Sequence, residues 1–243
     1  MKIVGIVQAR MGSTRLHGKV LKKVNGIPLL QYQIQRMMKS KLIDELIIAT
    51  TDKDIEEPIL KLCKDMGILF YRGSEVDVLD RYYHAAKNYY ADIVVRMTSD
   101  CPLIDPNIID QVIQYYLDNK YDYVSNTQVR TYPRGMDTEV FSMDLLRDAH
   151  LNAKLEYERE HVTPYFYMNP DKYSIGQLVN REDNSYYRLT VDTLEDFQLI
   201  SIIINDLYSK DKFFDLPMIL EKFKNNPDLA EINSHIEQKK LGE

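Results

Sequence analysis

The chain reads as an α/β protein: a mixed, mostly parallel sheet with helices on both faces. Two observations predict it. Short apolar runs recur through the first half, each followed by a stretch of helical periodicity. The runs are apolar throughout rather than alternating, as strands buried on both faces are. No linker and no internal repeat interrupts the 243 residues, so one domain over 1–243 is expected, long enough to bury a sizeable core.

Each element follows in order. Residues 3–8 form the first strand, and Pro28 opens a helix over 28–39. Glu45 to Thr50 is the second strand, with a helix near 54–66. Residues 68–72 form the third, and a helix over 76–90 puts Leu79, Tyr82, Tyr83 and Ala86 on one face. Asp92 to Met97 is the fourth, before a helix from Pro106 to Asn119. Beyond that the pattern weakens. Strands are expected at 121–126, 138–142, 173–179 and 186–191, and helices near 143–153, 157–168 and 194–208. Residues from about 121 to 180 are expected to form a small added arm, and the tail from Asn225 is polar but helix-compatible.

Composition removes several classes of function. The formal net charge of -6 leaves no general attraction to nucleic acid. Two cysteines, Cys63 and Cys101, are too few for a disulfide framework and fit a reducing cytoplasm. No apolar run approaches the ~18 residues a membrane span needs, and no secretory signal is visible. Small-molecule substrates are the expected partners.

The loop after the first strand is the exception to the acidic average. Arg10, Gly12, Ser13, Thr14, Arg15, Gly18 and Lys19 follow the buried run Ile3 to Val7. Three cations, two hydroxyls and two glycines at the end of a strand suit a triphosphate. Taken singly these cations would be ordinary surface charges; the clustering raises the phosphate reading. Ligands of open α/β sheets collect at the carboxyl ends of strands. Asp100 follows the fourth strand and Asp192 follows the run Tyr187 to Val191. The pair could converge on Mg²⁺, which takes a couple of carboxylates plus phosphate oxygens. Their plainer roles are a turn before Pro102 and a cap on the helix at Leu194. Asp52 and Asp54 resemble a glycosyltransferase Asp-x-Asp metal motif, but one of them is expected to cap the helix that follows. Cys101, beside an acid and without a basic partner, is a poor nucleophile. P-loop, dinucleotide, nucleophile-elbow and zinc spacings are all missing.

Five segments carry a resemblance. QARMGSTRLHGKVL, RGSEVDVLDRY at 72–82, TSDCPLID at 98–105, PRGMDTEVF at 133–141 with EREHVTPY at 158–165, and RLTVDTLEDF at 188–197 occur in family order. They resemble the cytidylyltransferases that activate acidic sugars, the CMP-sialate and CMP-KDO synthetases. The match is closer to the branch of spore coat polysaccharide biosynthesis protein SpsF. The resemblance implies a Rossmann-like nucleotide-diphosphosugar-transferase fold and CTP as co-substrate. It places CTP on Gln8, Ala9, Arg10, Gly12, Ser13, Thr14, Arg15, Lys19 and Arg72. Arg10, Arg15, Lys19 and Asp100 would be catalytic, with Mg²⁺ on Asp100 and Asp192. Arg134, Asp137, Glu139 and His161 would line the site of the acceptor, an acidic sugar of nonulosonic type, and a homodimer is expected. At 98–102 the KDO enzymes have Gln-Gly-Asp-Glu-Pro where this chain has Thr-Ser-Asp-Cys-Pro, which argues against KDO itself. The base that takes the sugar hydroxyl's proton stays open among a metal-bound hydroxide, Asp192 and His161. Other readings are a nucleotidyltransferase for a sugar or polyol phosphate, a glycosyltransferase using Asp52 and Asp54, and an inactive nucleotide-binding module.

Overall fold

The computed structural model describes residues 1–238. Its strands are β1 (Ile3–Gln8), β2 (Lys23–Val24), β3 (Ile27–Pro28), β4 (Glu45–Thr51), β5 (Leu69–Gly73), β6 (Ile93–Thr98), β7 (Tyr123–Ser125), β8 (Glu139–Ser142) and β9 (Ile175–Gln177). Its helices are α1 (Leu29–Met37), α2 (Glu57–Met66), α3 (Val78–Asn88), α4 (Pro106–Asp118), α5 (Met143–Asn152), α6 (Glu156–His161), α7 (Pro164–Tyr167), α8 (Leu194–Leu207), α9 (Leu216–Asn225) and α10 (Asp228–Glu231).

Seven strands form one sheet in the order β5-β4-β1-β6-β8-β7-β9, and β2 and β3 form a separate ribbon. The pairs β5–β4, β4–β1 and β1–β6 are parallel; β8 runs against both β6 and β7, and β9 is parallel to β7. The sheet is therefore mixed and mostly parallel, with β8 the reversed strand. Side chains alternate across it. Ile3 and Val7 of β1 join a core formed with α1, α4, α8 and α9, while Val4 and Ile6 join one formed with α3, α5 and α7. Both faces are thus covered, which is why the strands are apolar at every position.

Residues 121–180 supply β7 to β9 and the helices α5 to α7, so three of their segments extend the main sheet. Two expectations need correction. No strand forms at 186–191: Arg134 exchanges backbone hydrogen bonds with Tyr187 and Leu189, and Val191 N donates to Asp100 O. The extended segment is shared between two loops instead of laddering along one strand. The helix expected at 157–168 is two short ones. Val162 between them sits at φ 70°, ψ −63°, with Thr163 N donating to His161 O at 2.8 Å. That is a γ-turn of the rare, strained hand, and Pro164 then opens α7. The helix-compatible tail holds α10; residues 239–243 lie outside the described residues.

Candidate active site

A cavity of about 750 Å³ opens over the carboxyl ends of β1 and β6. Chain order reverses there: from β1 the path runs outward through β4 to β5, then returns across the sheet to β6. Ligands of open α/β sheets bind at such a switch point.

β1 delivers Gln8, Ala9 and Arg10 to the cavity wall, and the loop beyond adds Ser13, Thr14, Arg15 and Lys19. The loop is closed on itself. Met11 O accepts from Ser13 N and Gly18 N, and Met11 N donates to Glu56 Oε2 at 2.9 Å. Glu56 is buried and also accepts from Thr51. Gly18 takes the left-handed conformation, φ 60°, that starts the turn carrying Lys19.

β6 brings Met97, Thr98, Ser99 and Asp100 to the same wall. Asp192 lines it too, before Thr193, which with Asp196 caps α8. Asp192 is therefore not the cap. Its Oδ1 accepts from Lys19 at 2.7 Å; its Oδ2 lies 3.0 Å from Arg15 and 2.7 Å from Arg188. Burial disfavours the charged carboxylate, but Lys19, Arg15 and Arg188 outweigh it and hold the acid below its usual range. Arg188 is fixed in turn by Asp196, at 2.9 Å. Asp100 differs: among the described residues its side chain's polar contact is the weak Cys101 thiol at 3.6 Å, with no cationic partner. Every other half-buried or buried acid lining the cavity is ion-paired, namely Glu75 to Lys53, Asp137 to Arg130, Glu139 to Arg96 and Asp192 to Lys19. A carboxylate left without a cationic partner beside a basic loop is the donor that suits a hard divalent cation.

The far half of the cavity holds Asp137, Glu139, His161 and Thr163. Glu139 on β8 is gripped by Arg96 of β6, by Tyr123 at 2.6 Å and by Thr163 at 2.7 Å. Arg130 clamps both oxygens of Asp137, at 2.7 and 2.9 Å. Burial holds His161 below its ordinary value of 6.5, so the ring is neutral at pH 7. Cys101 is buried and pushed well up by burial and by Asp100, which suits no nucleophilic role.

Three expected site residues lie outside the cavity lining: Gly12, Arg72 and Arg134. Gly12 has ordinary backbone conformation, and a Cβ there would meet nothing closer than Glu75 Oε1 at 3.8 Å. Arg72 at the end of β5 turns to Glu57 and the Asp52 carbonyl. Arg134 forms a backbone bridge with Arg188. Asp52 and Asp54 are exposed, do not line the cavity and make no side-chain cap on the following helix; Lys53 and Glu56 stand at the cap positions. The residues overlooked are Arg81, Arg96, Glu75 and Gln238. Arg96 was detectable as a charge inside the buried strand Asp92 to Met97, where a charge needs a partner. Gln238, which takes a 2.7 Å hydrogen bond from Arg188, carried no local signal.

A cationic loop after β1 and a carboxylate after β6 that has no cationic partner among the described residues line one cavity at a switch point, the arrangement of an α/β nucleotidyltransferase. Residues 4–241 match the family model described as Cytidylyltransferase, and the chain belongs to that family. It is 42% identical to an uncharacterized protein of Methanocaldococcus jannaschii, over 100% of this chain and 99% of that one. It is 36% identical to spore coat polysaccharide biosynthesis protein SpsF of Bacillus subtilis, over 83% of this chain and 85% of that one. Among solved structures, a cytidylyltransferase from Leptospira borgpetersenii superposes with a TM-score of 0.91 at 36% identity, covering 99% and 100% of the two chains. A CMP-2-keto-3-deoxy-manno-octonic acid synthetase complexed with CTP shares the fold alone, with a TM-score of 0.65 at 19% identity. No helix among the described residues is long and apolar enough to cross a membrane.

Proposed function

We infer that the protein transfers CMP from CTP to a hydroxyl of an acidic, nonulosonic-type sugar and releases pyrophosphate. The observation that carries this reading is the shared cavity: Arg10, Arg15 and Lys19 line it together with Asp100, which has no cationic partner among the described residues. The triphosphate lies against the first loop. Arg15 and Lys19 shift from Asp192 onto phosphate oxygens, which frees Asp192 to stand beside Asp100. Asp100 and Asp192 would hold Mg²⁺, which would supply charge neutralisation at the phosphates. Arg96, between Gln8 and Glu139, offers the positive group that a sugar carboxylate needs. His161, neutral at pH 7, can accept the proton of the attacking hydroxyl. The rest of catalysis is alignment and fixed positive charge.

Mass spectrometry of the products, after incubation with CTP, Mg²⁺ and either a nonulosonic acid or a sugar phosphate, tests the reading. A CMP-sugar from the keto acid supports it. A CDP-linked product from the sugar phosphate alone would move the enzyme to a phosphorylated acceptor.

A further inference from the structure

Asp80, His84 and His150 gather on the outer side of α3 and α5, and none of the three lines the active-site cavity. One ligand atom from each lies within 4.8 Å of the others. Asp80 and His84 are four residues apart on α3 and so share one face; His150 comes from the last turn of α5. His150 Nε2 is 2.9 Å from Asp80 Oδ1, and His84 Nε2 is 3.4 Å from the same oxygen. The second separation equals the edge of a tetrahedron with bonds of about 2.1 Å, the usual zinc–nitrogen length.

Both rings are oriented before any ligand arrives. Tyr83 stacks flat on His150, with centroids 4.1 Å apart and planes 12° apart, and meets His84 edge-on at 5.1 Å. His84 and His150 stand nearly perpendicular, 5.6 Å apart. The side chains are 19 to 39% exposed, so an ion can enter from solvent. Two imidazoles and a carboxylate are a borderline donor set, matched to zinc, cobalt or nickel and not to magnesium.

We propose that Asp80, His84 and His150 form a transition-metal site of the zinc type that clamps α3 to α5. Three protein ligands leave one position for water. The clamp sits next to the active site's far wall. Asp77 at the start of α3 bonds Arg159 of α6, and Arg159 also donates to His150 O at 2.8 Å. Helix α6 ends at His161. The metal would therefore stiffen the support of that wall without touching substrate.

The full-length protein, stripped with a chelator, is titrated with Co²⁺ and followed by visible absorption; its Tm is then read with Zn²⁺. A tetrahedral Co²⁺ spectrum is expected at one equivalent, and Zn²⁺ at a hundred times its Kd raises Tm by roughly 5–10 °C. His84→Ala, a half-exposed change, should keep the metal-free Tm and weaken binding at least ~100-fold. Asp100→Asn should leave the response intact, and excess Mg²⁺ should not compete. The proposal is overturned if His84→Ala responds to Zn²⁺ as the unaltered protein does, if Asp100→Asn abolishes the response, or if no Co²⁺ spectrum forms.

Discussion

Lys19 Nζ lies 2.7 Å from Asp192 Oδ1, joining the loop after β1 to the start of α8 across 173 residues of chain. Arg15 shares the same carboxylate. The basic loop is thereby held in place by an acid before any nucleotide binds. Phosphate binding becomes an exchange of one anion for another, so the cations need little further ordering. Buried ion pairs add little net stability; under the proposed function the gain is a preformed phosphate site.

Lys19→Ala should raise the apparent KM for CTP by about tenfold to a hundredfold, the size of one lost hydrogen bond to a charged group. The fold should persist, because Asp192 keeps Arg15 and Arg188. Initial rates against CTP concentration decide it. An unchanged CTP requirement would remove Lys19 from the site.

Asp100→Asn should leave Tm within a degree or two and lower turnover by about 10²–10⁴-fold, since the substitution removes the free charge and little else. Pyrophosphate release at saturating CTP, alongside thermal melting, separates these effects. Near-normal turnover would show that Asp100 holds no catalytic ion.

His161 gives a pH signature. Its folded pKa is depressed by burial below 6.5, so below that value the unfolded chain takes up more protons than the folded one. Stability is complete above 6.5 and is lost as pH falls toward the folded pKa. His161→Gln should flatten that part of a urea-midpoint profile measured between pH 5 and 8. It should also remove an acidic limb from the rate profile if the ring takes the hydroxyl proton. A stability slope unaffected by the substitution would contradict the burial argument.

Gly135 is fixed by both conformation and space. It sits at φ 102°, and a Cβ would meet Leu189 O at 2.7 Å. Gly135→Ala should destabilise by about 2–4 kcal/mol, combining backbone strain with a forced contact. Gly26→Ala is the control: φ is 77°, but nothing lies within 4 Å. It should cost about 1–2 kcal/mol. Equal midpoints for the two variants would discount the contact with Leu189.

The sheet's parallel half was legible because β1, β4, β5 and β6 are apolar runs punctuated by helices, a pattern that burial on both faces imposes. The second half was legible in outline: the strands expected at 121–126, 138–142 and 173–179 contain β7, β8 and β9, and the helices expected near 143–153 and 194–208 are α5 and α8. What was not legible is the interruption at Val162 and the fate of 186–191. The extended segment at 186–191 looks like a strand locally but pairs through single bridges. In the site, the first loop and both acids were visible because each stands at the end of an apolar run. Arg134 lies outside the cavity lining, and its backbone pairs with Tyr187 and Leu189, which a motif cannot reveal. The pairing of Asp192 with Lys19 and Arg15, and the arrival of Gln238 at the cavity, depend on folding distant segments together.

The most direct measurement is pyrophosphate release with Mg²⁺, each of the four nucleoside triphosphates being offered with and without a panel of nonulosonic acids and sugar phosphates. Release confined to CTP plus a keto-acid sugar, and lost in Asp100→Asn, is the expected result. Release with every triphosphate alike, or CTP binding with no release against any acceptor, would contradict a cytidylyl transfer to an acidic sugar at this site.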